Sequence, residues 1–427
     1  MDEWSLIPKR ENGPEPDLLP ALSDTLPGIA ENFSRLGALG LVLIDGGAIR
    51  DVENRHGFAA RERIFRSLAS VIRDVASRRL RADDIVVTGD PGRSEIAVLI
   101  FRDRDEGDFY RAELTPLASQ IRREIKRNLN RILYPFERAR ADISTGLALA
   151  FRNPLYGEVT QIRRALEEAR NDAELSDRRS LRVDKRALIR LLLNGRVHSV
   201  YEPIVDSKTF TVFAYEALSR GPVGTSLAAP LALFELAERT GLVFELDCLC
   251  RRRALDGAID FPAGSKLFLN IRPSAFHDPS FQPDELCRTL EHCRLAPSDV
   301  VFEISEQESI ENFSMFRQAR DDYGAIGFQF ALDDTGSGYA SFQSVMELAP
   351  EFVKVDRTFV AGIDSDPARQ AILHGFQTIA DRINARIIGE GLDTLEELET
   401  LRELGIPFGQ GWLFGKPTPL RADRPTG

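Results

Sequence analysis

Two hydrophobic rhythms divide the chain. Up to about 195, apolar runs of strand length alternate with longer stretches of helical spacing. Residues 39–44 read as a buried strand and 61–79 as a helix. Residues 84–88 and 95–101 read as a strand pair around Gly89-Asp90-Pro91-Gly92. A helix over 110–133 and a strand over 141–151 follow, and a charged helical text then runs from about 156 to 195.

From Val200 the rhythm becomes regular. Short apolar runs recur, each closing on a polar residue that burial does not explain: Glu216, Asn270, Glu303, Asp333, Lys354 and Glu390. Their separations, 21 to 54 residues, are those of strand-plus-helix units, which predicts a parallel sheet with right-handed crossovers. About 230 residues with this many units fit a (β/α)8 TIM-like barrel, in which functional groups sit at the C-terminal strand ends. The start differs. Residues 201–206 and 210–216 are separated by Ser207-Lys208-Thr209, a hairpin pattern, so the first barrel strand is expected antiparallel to the rest.

The α/β chain therefore divides into four predicted parts. Prolines 14, 16, 20 and 27 among acidic residues predict a flexible N-terminal arm over 1–32. A smaller α+β domain over 33–175, a helical linker over 176–192 and the barrel domain over 193–422 follow.

Composition narrows the function classes. The 427 residues carry a formal charge of −11, which excludes an ordinary nucleic-acid binder; a phosphate substrate would need local neutralisation by arginine, lysine or metal. The basic helix within 111–131 reads as a solvated face, with polyanion contact the weaker alternative. Cys248, Cys250, Cys287 and Cys293 form no CxxC pair, so reduced, partly buried thiols are expected. Neither a signal peptide nor an apolar run long enough to span a bilayer is legible, and a cytoplasmic location is expected.

If the strand ends are neighbours, Glu216, Asn270, Glu303, Asp333, Asp334 and Glu390 meet at one mouth. Such a cluster needs cations, and hard oxygen ligands select Mg²⁺ or Mn²⁺ over zinc. The adjacent aspartates Asp333 and Asp334 tolerate each other if metal ions lie between them, and the glycines that follow let the loop approach. Lys354 could hold a water or a phosphate oxygen, and Arg220 could grip a phosphate bidentately. Singly, each has a plainer explanation as a helix cap or salt-bridge partner; six repeats of one placement favour a site.

These residues stand in motifs. Residues 190–420 resemble the EAL family of cyclic-di-GMP phosphodiesterases. The likeness runs through Tyr215-Glu216-Ala217-Leu218 with Arg220, Asn270, Glu303-Ile304-Ser305-Glu306, and Asp333-Asp334 with their glycine loop. It continues through Lys354-Val355-Asp356, Gly389-Glu390-Gly391-Leu392-Asp393 and Gln410-Gly411-Trp412. The resemblance implies a modified barrel in which two Mg²⁺ or Mn²⁺ ions open one phosphodiester of cyclic-di-GMP to give linear pGpG. It assigns Glu216, Asn270, Glu303, Asp333, Asp334 and Glu390 to the metals. Lys354 falls to the attacking water, Arg220, Gln410 and Asp356 to substrate, and Glu306 to the Asp-Asp loop. Glu216, Lys354, Asp333, Glu390 and Glu306 are thus the expected catalytic set. Thr335, Asp393 and Ser219 depart from the family's usual Phe, Glu and Leu, and none of them is a metal ligand.

The first domain resembles, more weakly, the GGDEF diguanylate cyclase fold, through Asp45 and the hairpin Gly92-Arg93-Ser94-Glu95-Ile96. Ser94 replaces that signature's aspartate and Glu53 its guanine-binding asparagine. Arg81-Ala82-Asp83-Asp84 has the shape of the inhibitory product site at a shifted spacing. A degenerate, non-cyclising regulatory domain is implied, with a homodimer and a regulatory protein partner as the expected assembly. The competing readings are a non-hydrolysing cyclic-di-GMP receptor or scaffold and, more remotely, a barrel enzyme acting on a sugar phosphate.

Overall fold

The computed structural model describes residues 19–89, 93–106, 108–134, 143–259, 261–305, 312–335 and 341–420; at 48, 50, 51, 54, 55, 130, 334 and 341–344 only the backbone is described. The chain divides into two compact units, 1–183 and 184–427.

In the first unit, β1 (Gly37–Asp45), β2 (Ile85–Thr88), β3 (Glu95–Asp103) and β4 (Ser144–Phe151) form one antiparallel sheet in the order β2-β3-β1-β4. Alternate residues of β1 serve opposite faces. Ala38, Val42 and Ile44 join the cluster under α2 (Gly47–His56), α3 (Phe58–Ala76) and α4 (Thr115–Leu133). Leu39, Leu41 and Leu43 join the cluster under α1 (Leu22–Leu36) and α5 (Glu158–Leu193). Both faces are covered, which explains why β1 reads as a continuous apolar run.

Two boundaries differ from the sequence expectation. Residues 22–32, assigned to the arm, belong to α1, which buries Leu22, Ile29 and Phe33; Pro27 lies inside this helix and misled the reading. The predicted linker 176–192 is the later part of the single helix α5, with no break at 175/176.

The second unit is a closed barrel of eight strands: β5 (His198–Asp206), β6 (Val212–Arg220), β7 (Lys266–Asn270), β8 (Val300–Ser305), β9 (Gln329–Thr335), β10 (Phe352–Val355), β11 (Arg386–Gly389) and β12 (Phe408–Gln410). The expected antiparallel first strand is present: β5 runs against both β6 and β12, and the other neighbours are parallel. Helices α6 (Pro230–Thr240), α7 (Val243–Gly257) and α8 (Pro283–Cys293) lie among the outer ones. All four cysteines are free thiols, Cys250 and Cys293 buried. Among the described residues no helix is long and apolar enough to cross a membrane.

Candidate active site at the barrel mouth

Each barrel strand contributes one residue to an apolar layer inside the barrel: Ile204, Ala214, Phe268, Val301, Ala331, Phe352, Ile388 and Phe408. Side chains two positions apart on a strand share a face, so the next inward residue toward the mouth lies two further along. On the seven parallel strands that step arrives at Glu216, Asn270, Glu303, Asp333, Lys354, Glu390 and Gln410. On antiparallel β5 the step runs backwards, from Ile204 to Glu202, which sits directly opposite Glu216 in the β5–β6 register. An oily layer thus carries a polar ring.

Lys354 is the centre of that ring. Its Nζ lies 2.6 Å from Glu390 Oε1, 2.8 Å from Glu303 Oε1, 3.0 Å from Glu216 Oε2 and 3.4 Å from Asp333 Oδ1. Gln410 Nε2 donates to Glu216 Oε2 at 2.6 Å. Asn270 Nδ2 donates to Glu303 Oε2 at 3.1 Å and to Glu216 Oε1 at 3.3 Å. Gly411 makes the β12 end possible: with φ +153°, any Cβ there would collide with the Leu392 backbone beside Glu390.

One ammonium does not match this many carboxylates. Burial, with Glu216 and Asp333 adding repulsion, pushes Glu303 well above the usual carboxylate range against the pull of Lys354. Burial likewise raises Glu390 to about 8, Lys354 opposing and Asp333 and Glu216 reinforcing. Burial and the facing Glu216 raise Glu202. Glu216 goes the other way: burial opposes its charge, but Lys354 and hydrogen bonds from Gln410, Lys354 and Asn270 hold it below the usual value. Lys354 itself is raised far above the ordinary lysine value, its burial outweighed by Asp333, Glu216, Glu303 and Glu390. Burial thus disfavours the charged forms of Glu303 and Glu390, a penalty that a further cation would offset.

The donor set suits a hard divalent cation in kind, being all oxygen. Gln410 Oε1 is a buried acceptor without a hydrogen-bond donor, while Glu303 Oε1 and Asp333 Oδ1 face the Lys354 ammonium. Among the described residues, however, no three acidic, histidine or cysteine side chains are arranged around one metal position. The carboxylates turn toward the Lys354 ammonium instead.

The ring brings together Glu216, Asn270, Glu303, Asp333, Lys354, Glu390 and Gln410 from the sequence assignment. Arg220 ends β6 at the rim, its Nη1 donating to its own strand at Ser219 O, 2.9 Å away. Asp356 stands apart as the N-cap of the short helix Arg357–Val360, accepting Thr358 N–H at 2.8 Å. Thr335 is fully buried at the end of β9. Asp393 pairs with Arg357 at 2.6 Å. Glu306, the Asp334 side chain and the glycine loop 336–340 lie outside the described residues. Glu202 was missed by the sequence reading; the antiparallel direction of its strand, once inferred, could have found it two residues before Ile204.

Known proteins resemble parts of this chain. Over 236 residues the chain is 30% identical to the probable cyclic di-GMP phosphodiesterase PdeG of Escherichia coli (strain K12), an overlap of 54% of this chain and 46% of that protein. Over 191 residues it is 31% identical to the cyclic di-GMP phosphodiesterase PdeA of Borreliella burgdorferi (strain ATCC 35210 / DSM 4680 / CIP 102532 / B31), 44% of this chain and 28% of that protein. The chain thus spans less than half the length of either relative. Among solved structures, the EAL domain of Xanthomonas citri FimX in complex with c-diGMP superposes with a TM-score of 0.52 at 20% identity, over 58% of this chain and 98% of that one. The EAL enzyme Bd1971, in a form with cAMP and cyclic-di-GMP bound, gives 0.51 at 22% identity, over 65% and 79%. These two likenesses are of fold. The EAL domain family itself matches residues 185–417, a segment that contains every strand of the barrel and the whole polar ring, and the chain belongs to that family.

Proposed function

We propose that the barrel hydrolyses cyclic-di-GMP to linear pGpG with the help of two Mg²⁺ or Mn²⁺ ions. The observation that carries this reading is the ring of buried carboxylates around Lys354 at the mouth of an EAL barrel. Glu216, Asn270, Glu303, Asp333, Asp334 and Glu390 would hold the ions. When bound, such ions supply Lewis-acid polarisation of the phosphodiester and acidification of water. The chain's own groups do the rest. Lys354, fixed by its carboxylates, presents its ammonium to the attacking water or to a phosphate oxygen. Arg220 and the Gln410 amide grip the dinucleotide, and Glu306 steadies the loop after Asp334. Water attacks phosphorus, the P–O3′ bond breaks, and the 3′ oxygen leaves with a proton.

In the same reading the first unit is a degenerate GGDEF-like domain that regulates rather than cyclises, within a homodimer open to a regulatory protein partner. Ser94 supplies no carboxylate. Glu95 is buried and held by Arg170 at 2.9 Å, and Glu53 lies 3.3 Å from Arg61. Asp84 is taken by Arg102, 2.7 Å away, while Arg81 pairs with Glu106 and Glu113.

The test is incubation with cyclic-di-GMP in Mg²⁺, Mn²⁺ or Ca²⁺, following pGpG by chromatography and affinity by calorimetry. Turnover in Mg²⁺ or Mn²⁺ and binding without turnover in Ca²⁺ are expected, because Ca²⁺ prefers longer bonds and more ligands. Tight binding without turnover in Mg²⁺ or Mn²⁺ would favour the receptor.

A further inference from the structure

A cavity of about 250 Å³ opens beside the ring. One wall is the end of β6, with Leu218 and Arg220. A second is Asn270 and the segment it runs into, Ile271 and Arg272. The third is α7, with Asp247 and Arg251. One side chain ties the third wall to the segment that continues from the second.

Arg251 is buried, its side chain 3% exposed. Its Nη1 donates to Asp247 one turn earlier on α7. Its Nη2 donates to Asp278 at 2.9 Å and approaches Cys248 Sγ at 3.4 Å. The guanidinium lies 4.8 Å from the Phe281 ring centroid, and Nε is buried without a partner. Asp278 belongs to the segment after β7 and also accepts the Ser280 N–H at 2.9 Å and hydroxyl at 2.7 Å, which fixes the turn Pro279–Phe281. One planar fork therefore spans two carboxylates on two elements, a geometry lysine cannot reproduce.

Stability alone is a weak reason for this arrangement. A buried arginine between two aspartates leaves a net negative charge, and an apolar side chain of similar volume is commonly as stable or more so. What the ionic clamp supplies is a fixed relation between α7 and the segment that carries Asn270, Ile271 and Arg272 past the site.

We propose that Arg251 is a positioning residue for substrate: by clamping Asp247 to Asp278 it fixes the cavity wall formed by Ile271 and Arg272, and so governs affinity rather than the chemical step. The ligand's identity rests on the phosphodiesterase reading above; the clamp does not.

Two variants of the full chain test it. Arg251→Lys keeps the charge and loses the fork. Arg251→Met combined with Asp278→Asn removes the clamp without leaving both carboxylates ionised, and guards against a fold lost to unpaired charge. Each is measured for KM and kcat of pGpG formation, for calorimetric affinity, and for amide hydrogen exchange. Both variants should raise KM and Kd at least ~10-fold while kcat stays within ~3-fold. Exchange should quicken over 271–281 and stay unchanged in β9–β11. Unaltered KM and Kd, a loss confined to kcat, or faster exchange across the whole barrel would overturn the proposal. If the wild type neither binds nor hydrolyses cyclic-di-GMP, the functional reading fails, and exchange alone decides the clamp: unchanged protection over 271–281 in Arg251→Lys overturns it.

Discussion

Lys354 and Glu390 meet at 2.6 Å across the end of β10 and β11, with three more carboxylates within 3.4 Å of the same ammonium. The pairing gives Lys354 a structural role beside the catalytic one proposed for it. Lys354→Met keeps the volume and removes the charge, leaving the carboxylates facing one another. Breaking a buried pair in this way costs about 3–5 kcal/mol, so the thermal midpoint should fall clearly and hydrolysis should cease. Mn²⁺ should restore part of the midpoint, because the oxygens then share another cation. Calorimetric melting with EDTA and with Mn²⁺ decides it; a variant as stable as the wild type in EDTA would contradict the arrangement.

Glu202 predicts the opposite kind of change. It faces Glu216 across the strand pair and, among the described residues, makes no salt bridge to the Lys354 ammonium. Its charge opposes an anionic substrate, although the Gln410 side chain also hydrogen-bonds to it. Glu202→Gln should tighten cyclic-di-GMP binding by roughly 3- to 10-fold, the scale of one partly screened charge pair, and should leave Lys354 in place. Weaker binding, read by calorimetry, would mean that the carboxylate itself contacts the ligand.

At the opposite end of the barrel, the Arg386 guanidinium lies 4.2 Å from the Phe352 ring centroid, 5.3 Å from Phe213 and 5.7 Å from Phe408. Phe213 stacks on Phe408 at 4.0 Å. Arg386→Ala should cost about 1 kcal/mol, the value of a half-exposed cation–π contact, and leave kcat and KM unchanged. Denaturant unfolding with parallel kinetics checks this. A loss of activity larger than the loss of folded protein would show that the two ends are coupled.

For the first unit, the full chain carrying Glu216→Ala, chosen so that the proposed hydrolysis does not remove the product, should form no cyclic-di-GMP from GTP and Mg²⁺. Ser94 offers no charged ligand, and Glu95 is committed to Arg170. Product above background would show that Glu95 is released in solution.

Most of the barrel and its ring was legible because the inward residue comes two positions after an apolar one on the parallel strands, so apolar runs ended visibly on Glu216, Asn270, Glu303, Asp333, Lys354 and Glu390. Glu202 escaped because β5 runs the other way and its polar residue precedes the run. Gln410 was found only through its motif, since β12 is three residues long and shows no period of its own. Helix α1 was hidden by Pro27, and the Arg251 clamp by distance: nothing in the spacing of Asp247, Arg251 and Asp278 announces that they meet. Asp356 shows the reverse relation: the motif assigns it to substrate, and the structure adds that it caps a helix.

The reversed direction of β5 also sets where the chain can be handled. His198 pairs with Arg220 at the reactive rim, and the strand then descends to the Ser207–Phe210 hairpin at the far end. A short insertion next to His198 would enter beside the polar ring, four residues from Glu202. A fluorophore or affinity handle belongs instead on the exposed hairpin at Lys208, where the full height of the barrel separates it from Lys354.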